Sequence, residues 1–228
     1  MPAPAHSAAP AADGESTRII ALRHGRTAWN RATRIQGHTD IPLDALGRAQ
    51  AERAAAALAD AGLAAVYSSD LLRTQATAQP LARRLALPVV ADVRLRERHF
   101  GAWEGMAHAD IVAQYPLEAQ RWHRREPGFQ PGGGESLQQF FARCVPAVAE
   151  LAAHHPGQAI AVVAHGGVLD CLYRAATGLA LDAPRSWILG NASINRLLWH
   201  GEGFALVGWD DQSHLQGLDE AALDAEEV

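Results

Sequence analysis

The chain has 228 residues, 48% of them hydrophobic, enough for one substantial core, and its net charge of −5 argues against a general affinity for nucleic acid. It contains no lysine, so all 20 of its Lys-plus-Arg cations are arginines, and any anion site built from side chains must use the planar guanidinium fork. No stretch approaches the roughly 20 apolar residues of a membrane span, and Cys144 and Cys171 form no CxxC pair, so both are read as buried free thiols of a cytoplasmic protein.

Residues 1–17 are rich in Ala and Pro but lack a basic n-region and a continuous apolar segment, which predicts a disordered leader rather than a signal peptide. The first strand follows at Arg18-Ile19-Ile20-Ala21-Leu22, where an apolar run ends abruptly in Arg23-His24-Gly25. Gln36 to Leu43 is turn-rich, and Asp44 is the expected N-cap of a helix reaching about Asp60. Ala64 to Ser69 reads as a short strand. Ser69 or Asp70 is expected to cap the next helix, placing Arg73 in a first turn whose free N–H groups favour an anion.

Pro88-Val89-Val90 begins another strand, and Arg94 to Gly105 is a charged, aromatic, glycine-punctuated loop. A helical stretch to about Trp122, a breaker from Pro127 to Gly134 and a helix from about Leu137 to His154 come next. His154-His155 reads as a solvated helix end. Ala159 to Ala164 is a second apolar strand, ending in His165-Gly166-Gly167, and a helix over 168–177 and strands over 193–200 and 204–209 close the pattern. Residues 210–228 are acidic and expected to be a weakly ordered tail. The alternation predicts an α/β fold, a three-layer α/β/α sandwich with a mostly parallel central sheet over 18–209. Because ligands of open α/β sheets sit beyond the carboxyl ends of parallel strands, two strands ending in His-Gly predict one shared site.

The ordered set Arg23-His24-Gly25, Thr27, Asn30, Gln36-Gly37, Arg73, Glu97 and His165-Gly166 resembles the histidine phosphatase superfamily, also called phosphoglycerate mutase-like, over most of residues 18–209. The resemblance implies a histidine acid phosphatase-type phosphomonoesterase. His24 is then the nucleophile that forms a phosphohistidine, and Arg23, Arg73 and His165 surround the phosphoryl oxygens with help from Asn30. Glu97 is then the proton donor, favoured in its acid form by phosphate bound beside it, with Glu104 in reserve. Gly25, Gln36, Gly37 and Gly166 complete the expected phosphate and substrate pocket. Nearby arginines would keep His24 unprotonated for attack.

Taken alone, Glu97 reads more simply as an ion-pair partner of Arg94, Arg96 or Arg98. Trp29, Phe100, Trp103 and Trp122 are either a wall for the leaving group or ordinary core, and Arg121, Arg124 and Arg125 either hold a second acidic group or form a solvated face. A metal or organic cofactor is not implied, since no HExxH or P-loop signature is present. The expected partner is a small phosphomonoester, without nucleic acid or membrane, and a homodimer is compatible with the chain. The alternatives are a cofactor-dependent phosphoglycerate mutase, which Trp122-His123-Arg124-Arg125 resembles weakly, and a non-catalytic phosphoryl-binding protein. The absence of lysine, the short segment after Glu97 and Gly167 in place of the mutases' asparagine favour the phosphatase.

Overall fold

The computed structural model describes residues 16–218 and 220–225. The expected leader lies outside the described residues up to position 15, and its last residue, Thr17, already opens β1 (Thr17–Arg23). The Thr17 hydroxyl donates to the carbonyls of Ala152 and His155, tying the strand start to the main helix of the opposite layer.

The remaining strands are β2 (Leu63–Ser68), β3 (Val89–Ala91), β4 (Ala159–Ala164), β5 (Ile194–Trp199) and β6 (Phe204–Asp211). They form one six-stranded sheet in the order β3-β2-β4-β1-β5-β6. The first four are parallel and the last two antiparallel. Strand β4 is buried along its whole length, as an all-apolar run covered on both faces must be. The mostly parallel sandwich expected from the sequence is thus present.

The helices are α1 (Ala28–Arg31), α2 (Ala45–Ala57), α3 (Leu72–Leu85), α4 (His108–Gln114), α5 (Pro116–His123), α6 (Leu137–Ala153), α7 (Gly166–Thr177) and α8 (Glu220–Ala225). On one face of the sheet Ala54 of α2, its C-cap Leu58, and Ala78 and Leu81 of α3 meet Leu22, Val66 and Val163. On the other, Phe140 and Val148 of α6 and Val168 and Leu172 of α7 meet Ile19, Ile160 and Val162. A third cluster, Ile35, Trp103, Ile111, Ala119 and Phe129, anchors α4 and α5 beside the strand ends. Among the described residues no helix is long and apolar enough to cross a membrane.

Several local expectations are corrected. Asp44 does cap α2, accepting from Gly47 N at 2.7 Å, but the helix ends at Ala57. Neither Ser69 nor Asp70 caps α3. Its N-cap is Leu71, Leu72 N donates instead to Asp40 at 2.7 Å, and Asp70 is held by Arg96 at 2.6 and 2.8 Å. The first N–H of that helix is therefore taken by a protein carboxylate. His155 is not simply solvated, since its ring bonds Tyr67 at 2.8 Å and Gln158 at 2.9 Å. Strand β6 runs past the expected boundary at 209, and α8 packs on α2, with Asp224 accepting from Arg26.

Candidate active site

The site grows out of the register of β1 and β4, which pairs Arg23 with Ala164. The next residue of each strand, His24 and His165, leaves the sheet at the same level, and His24 N donates to the Ala164 carbonyl at 3.0 Å. Their ring centroids lie 5.3 Å apart. From the other side, Asn191 donates its amide to the His24 carbonyl at 3.0 Å. His24 lines a cavity of about 290 Å³ together with Arg23, Asn30, Gln36, Gly37, Arg73, Glu97 and Gly166. His165 is fully buried behind it, and neither of its ring nitrogens has a hydrogen-bond partner among the described residues.

The imidazole of His24 has its Nδ1 2.7 Å from the Gly25 carbonyl oxygen. That oxygen can only accept, so Nδ1 carries the proton and Nε2 presents a lone pair. Burial pushes the His24 proton affinity well below the ordinary histidine range, and the positive charges of Arg73 and Arg23 push it further. His165 is depressed in the same direction by burial, Arg73, His24 and Arg23. A neutral His24 therefore lines a cationic cavity with a second neutral imidazole, His165, packed behind it.

Arg73 is completely buried, with its terminal nitrogens donating to the carbonyls of Thr39 at 2.9 Å and Gly37 at 2.8 Å. Its Nε, like that of Arg23, has no hydrogen-bond partner among the described residues. Burial lowers the Arg73 guanidinium to about 10, still fully charged at neutral pH. Arg23 is lowered in the same direction, and its remaining contact is a donation to the Leu189 carbonyl. Two cations held in place with N–H groups unspent are what a doubly charged phosphoryl group requires.

Glu97 does not pair with its neighbouring arginines. Arg94 is held by Asp92 and Glu150, Arg96 by Asp70, and the Arg98 guanidinium donates to the Phe129 and Glu135 carbonyls. The Glu97 carboxylate accepts instead from Arg98 N at 2.8 Å and from Gly167 N, at the start of α7, at 3.0 Å. Gly167 permits this approach, because a Cβ there would lie 2.1 Å from Glu97 Oε1.

Glu104, the reserve candidate, has a different task. It accepts from His38 N, Phe100 N, Thr39 N and the Thr39 hydroxyl. Burial works to raise its proton affinity, but these donors outweigh it and hold the carboxyl below its ordinary value. It thereby shapes the loop whose carbonyls grip Arg73, a loop that turns at Gly37 with φ +53°.

Other expected residues are redistributed. Gly25 donates its N–H to Thr77 at 2.9 Å and its carbonyl accepts from His24, so it orients the histidine rather than offering a free group. Asn30 lines the cavity, but its Oδ1 closes a capping box with Thr27. Phe100 and Trp122 form cavity wall, while Trp103 is buried core. Arg121 pairs with Glu126, and Arg125 with Asp170. Residues not singled out from the sequence, Arg34, His108 and Arg185, also line the cavity. They come from loops and a short helix with no periodic signal to mark them. Among the described residues no group of three or more His, Cys, Asp and Glu side chains is placed to hold a metal ion.

A three-layer α/β domain that ends two adjacent parallel strands in buried neutral histidines, and sets unspent arginine N–H groups beside them, defines a phosphoryl-handling class of site. Residues 19–212 match the histidine phosphatase superfamily (branch 1), and the chain belongs to that family. It is 39% identical over 204 residues to a glucosyl-3-phosphoglycerate phosphatase of Mycobacterium tuberculosis, covering 84% of this chain and 91% of that protein. It is 35% identical over 209 residues to a metal-independent phosphoserine phosphatase of Arabidopsis thaliana, covering 90% and 86%. A solved mycobacterial glucosyl-3-phosphoglycerate phosphatase in complex with VO3 superposes with a TM-score of 0.77 at 38% identity, over 86% of this chain and 99% of that one.

Proposed function

We propose that this chain is a phosphomonoester hydrolase acting on a small phosphorylated metabolite through a phosphohistidine on His24. The observation that carries the reading is the tautomer of His24 in its cationic cavity: Nδ1–H bonded to Gly25, Nε2 free, and the ring neutral beside two arginines. Arg23, Arg73 and His165 bind the phosphoryl oxygens. His24 Nε2 forms the P–N bond as the P–O bond breaks, and the departing alkoxide takes a proton from Glu97. Water then attacks phosphorus, the P–N bond breaks, and the Glu97 carboxylate accepts the proton of that water. The arginines supply the positive charge.

Burial and the arginines extend the neutral form of His24 into acid solution, which supports acid phosphatase-type behaviour. The two free, buried cysteines support a reducing, cytoplasmic setting. Of the paired arginines Arg124 and Arg125 on which the mutase reading rests, Arg125 is already paired with Asp170, which counts against that alternative. A binding protein has no use for a carboxylate placed like Glu97. The test is phosphate release from a panel of phosphomonoesters in EDTA, with isomerisation of 3-phosphoglycerate followed in parallel with and without 2,3-bisphosphoglycerate. Release abolished in a folded His24→Ala variant is expected. Full activity in that variant, or bisphosphate-stimulated isomerisation in place of release, overturns the proposal.

A further inference from the structure

Two segments that line the cavity, one carrying Gln36 and Gly37 and the other Glu97, are joined by a side chain that the phosphoryl chemistry does not use. The first segment sends the carbonyls of Gly37 and Thr39 to Arg73, and His38 stands between them. Its backbone N–H donates to Glu104 at 3.0 Å, and its half-buried ring reaches the second segment, where Nε2 lies 2.8 Å from the Glu97 carbonyl oxygen. That oxygen can only accept, so Nε2 carries a proton and donates it. Burial holds the imidazole below the ordinary histidine range in spite of this bond, so at neutral pH the donor is an uncharged ring.

The bond matters because of what else holds Glu97. Among the described residues its carboxylate has two donors, Arg98 N and Gly167 N, and the rest of its placement comes from its own backbone. The Glu97 carbonyl takes two side-chain donors, His38 and, at 3.2 Å, Arg143 of α6. Arg143 also donates to the carbonyls of Arg94 and Arg96 and pairs with Glu135 at 2.7 Å, so it secures the segment as a whole. The His38 ring differs: among the described residues its hydrogen bond goes to Glu97 alone, with the His99 ring packed against it at 4.9 Å between centroids.

We propose that His38 is a positioning residue for proton transfer: by joining the Glu97 backbone to the loop that grips Arg73, it sets the proton donor at a fixed distance from the phosphoryl group. The inference rests on the reading that the His24 cavity binds the phosphoryl group and that Glu97 protonates the leaving group. The Arg73 guanidinium is fixed by the residues on either side of His38, so a shift in the phosphate grip is carried to Glu97 through one imidazole. A merely structural role would lower stability or affect every ester alike. A positioning role shows only where the leaving group needs a proton.

The test measures kcat and KM for phenyl phosphate, whose phenolate leaves poorly without a proton, and for p-nitrophenyl phosphate, whose leaving group hardly needs one, in the wild type, His38→Phe and His38→Gln. Phenylalanine keeps a ring against His99 and removes the donor, whereas the glutamine amide restores an N–H at a similar reach. His38→Phe should lower kcat for phenyl phosphate about tenfold with little change in KM, and kcat for p-nitrophenyl phosphate about twofold or less, the scale of a reacting group that loses one of its holds. His38→Gln should recover most of the loss. In a Glu97→Gln background His38→Phe should cost less than about twofold more, because the group it positions is already gone. Equal losses on the two esters, an undiminished His38→Phe enzyme, a His38→Gln variant no better than His38→Phe, or a loss that multiplies with that of Glu97→Gln overturns this inference and leaves the phosphatase reading intact. Absence of release from both esters in the wild type overturns that reading, and this one with it.

Discussion

Replacing Gly167 by alanine tests whether Glu97 donates the proton, because it moves the carboxylate without removing it. The added Cβ would stand 2.1 Å from Glu97 Oε1 and 2.8 Å from Phe140 Cε1, both well inside contact distance. Relief requires the carboxylate to retreat by about an ångström, and displacements of that size in a reacting group cost about a hundredfold in rate. The backbone gives no reason for a folding defect: Gly167 is the second residue of α7 and has no positive φ, and alanine is favoured over glycine in a helix by about 1 kcal/mol. The variant should therefore unfold at close to the wild-type denaturant concentration yet turn over alkyl phosphates about a hundredfold more slowly. With p-nitrophenyl phosphate, whose leaving group hardly needs a proton, the loss should be about tenfold or less. An equal loss on both esters would mean that the methyl group disturbs phosphate binding rather than proton donation, and undiminished turnover of the alkyl ester would mean that Phe140 yields instead of Glu97.

Two further predictions concern the loop that holds Arg73 and the titration of the buried histidines. Glu104→Gln places an amide NH₂ where an acceptor is needed for one of the N–H groups of His38, Thr39 or Phe100, so the loop gripping Arg73 should loosen; KM should rise severalfold with kcat less affected, and a kcat-only loss measured by steady-state kinetics would contradict it. The depressed histidines set a pH dependence of stability: above about pH 6.5 both states hold the imidazoles neutral, but as pH falls the unfolded chain protonates while folded His24 and His165 do not, so stability is lost as pH falls toward their folded-state values. Each contributes a slope of at most about 1.4 kcal/mol per pH unit, and urea titrations from pH 7.5 to 5.5 should show a shallower decline in His165→Asn than in the wild type; parallel declines would refute the assignment.

The parts of this architecture that were readable in the sequence are those where one local rule acts alone. An all-apolar run such as Ala159 to Ala164 has no stable place except between two covering layers, and Asp44 before a helical run is a cap whatever lies beyond it. The start of α3 was misread because its satisfying carboxylate, Asp40, comes from 32 residues away, and no local pattern announces a donor–acceptor pair of that kind. The extent of β6 was misread for a related reason. Acidic Asp210 and Asp211 look like the beginning of a tail, yet Asp210 accepts from Gly190 N and Asp211 pairs with Arg196 on the neighbouring strand.

The site divides along the same line. His24 and His165 are predictable partners because parallel strands deliver their last residues to one edge, and only the register, Arg23 opposite Ala164, had to come from the fold. Glu97 carries no such guarantee in a segment with three arginines around it, where ion pairing is the simpler expectation. What frees it is a set of competitors: Asp92 and Glu150 take Arg94, Asp70 takes Arg96, and two carbonyls take Arg98. With its neighbours spent, the carboxylate is left to the N–H at the start of α7, and the absence of a side chain at Gly167 lets it come within 3.0 Å. The same helix then carries Asp170 one turn further on, so a single element sets both the carboxylate proposed to deliver the proton and the one that pairs with Arg125 and Arg174. A change in the pitch or position of that turn should therefore move the Glu97 carboxylate and the Asp170 cluster with Arg125 and Arg174 together.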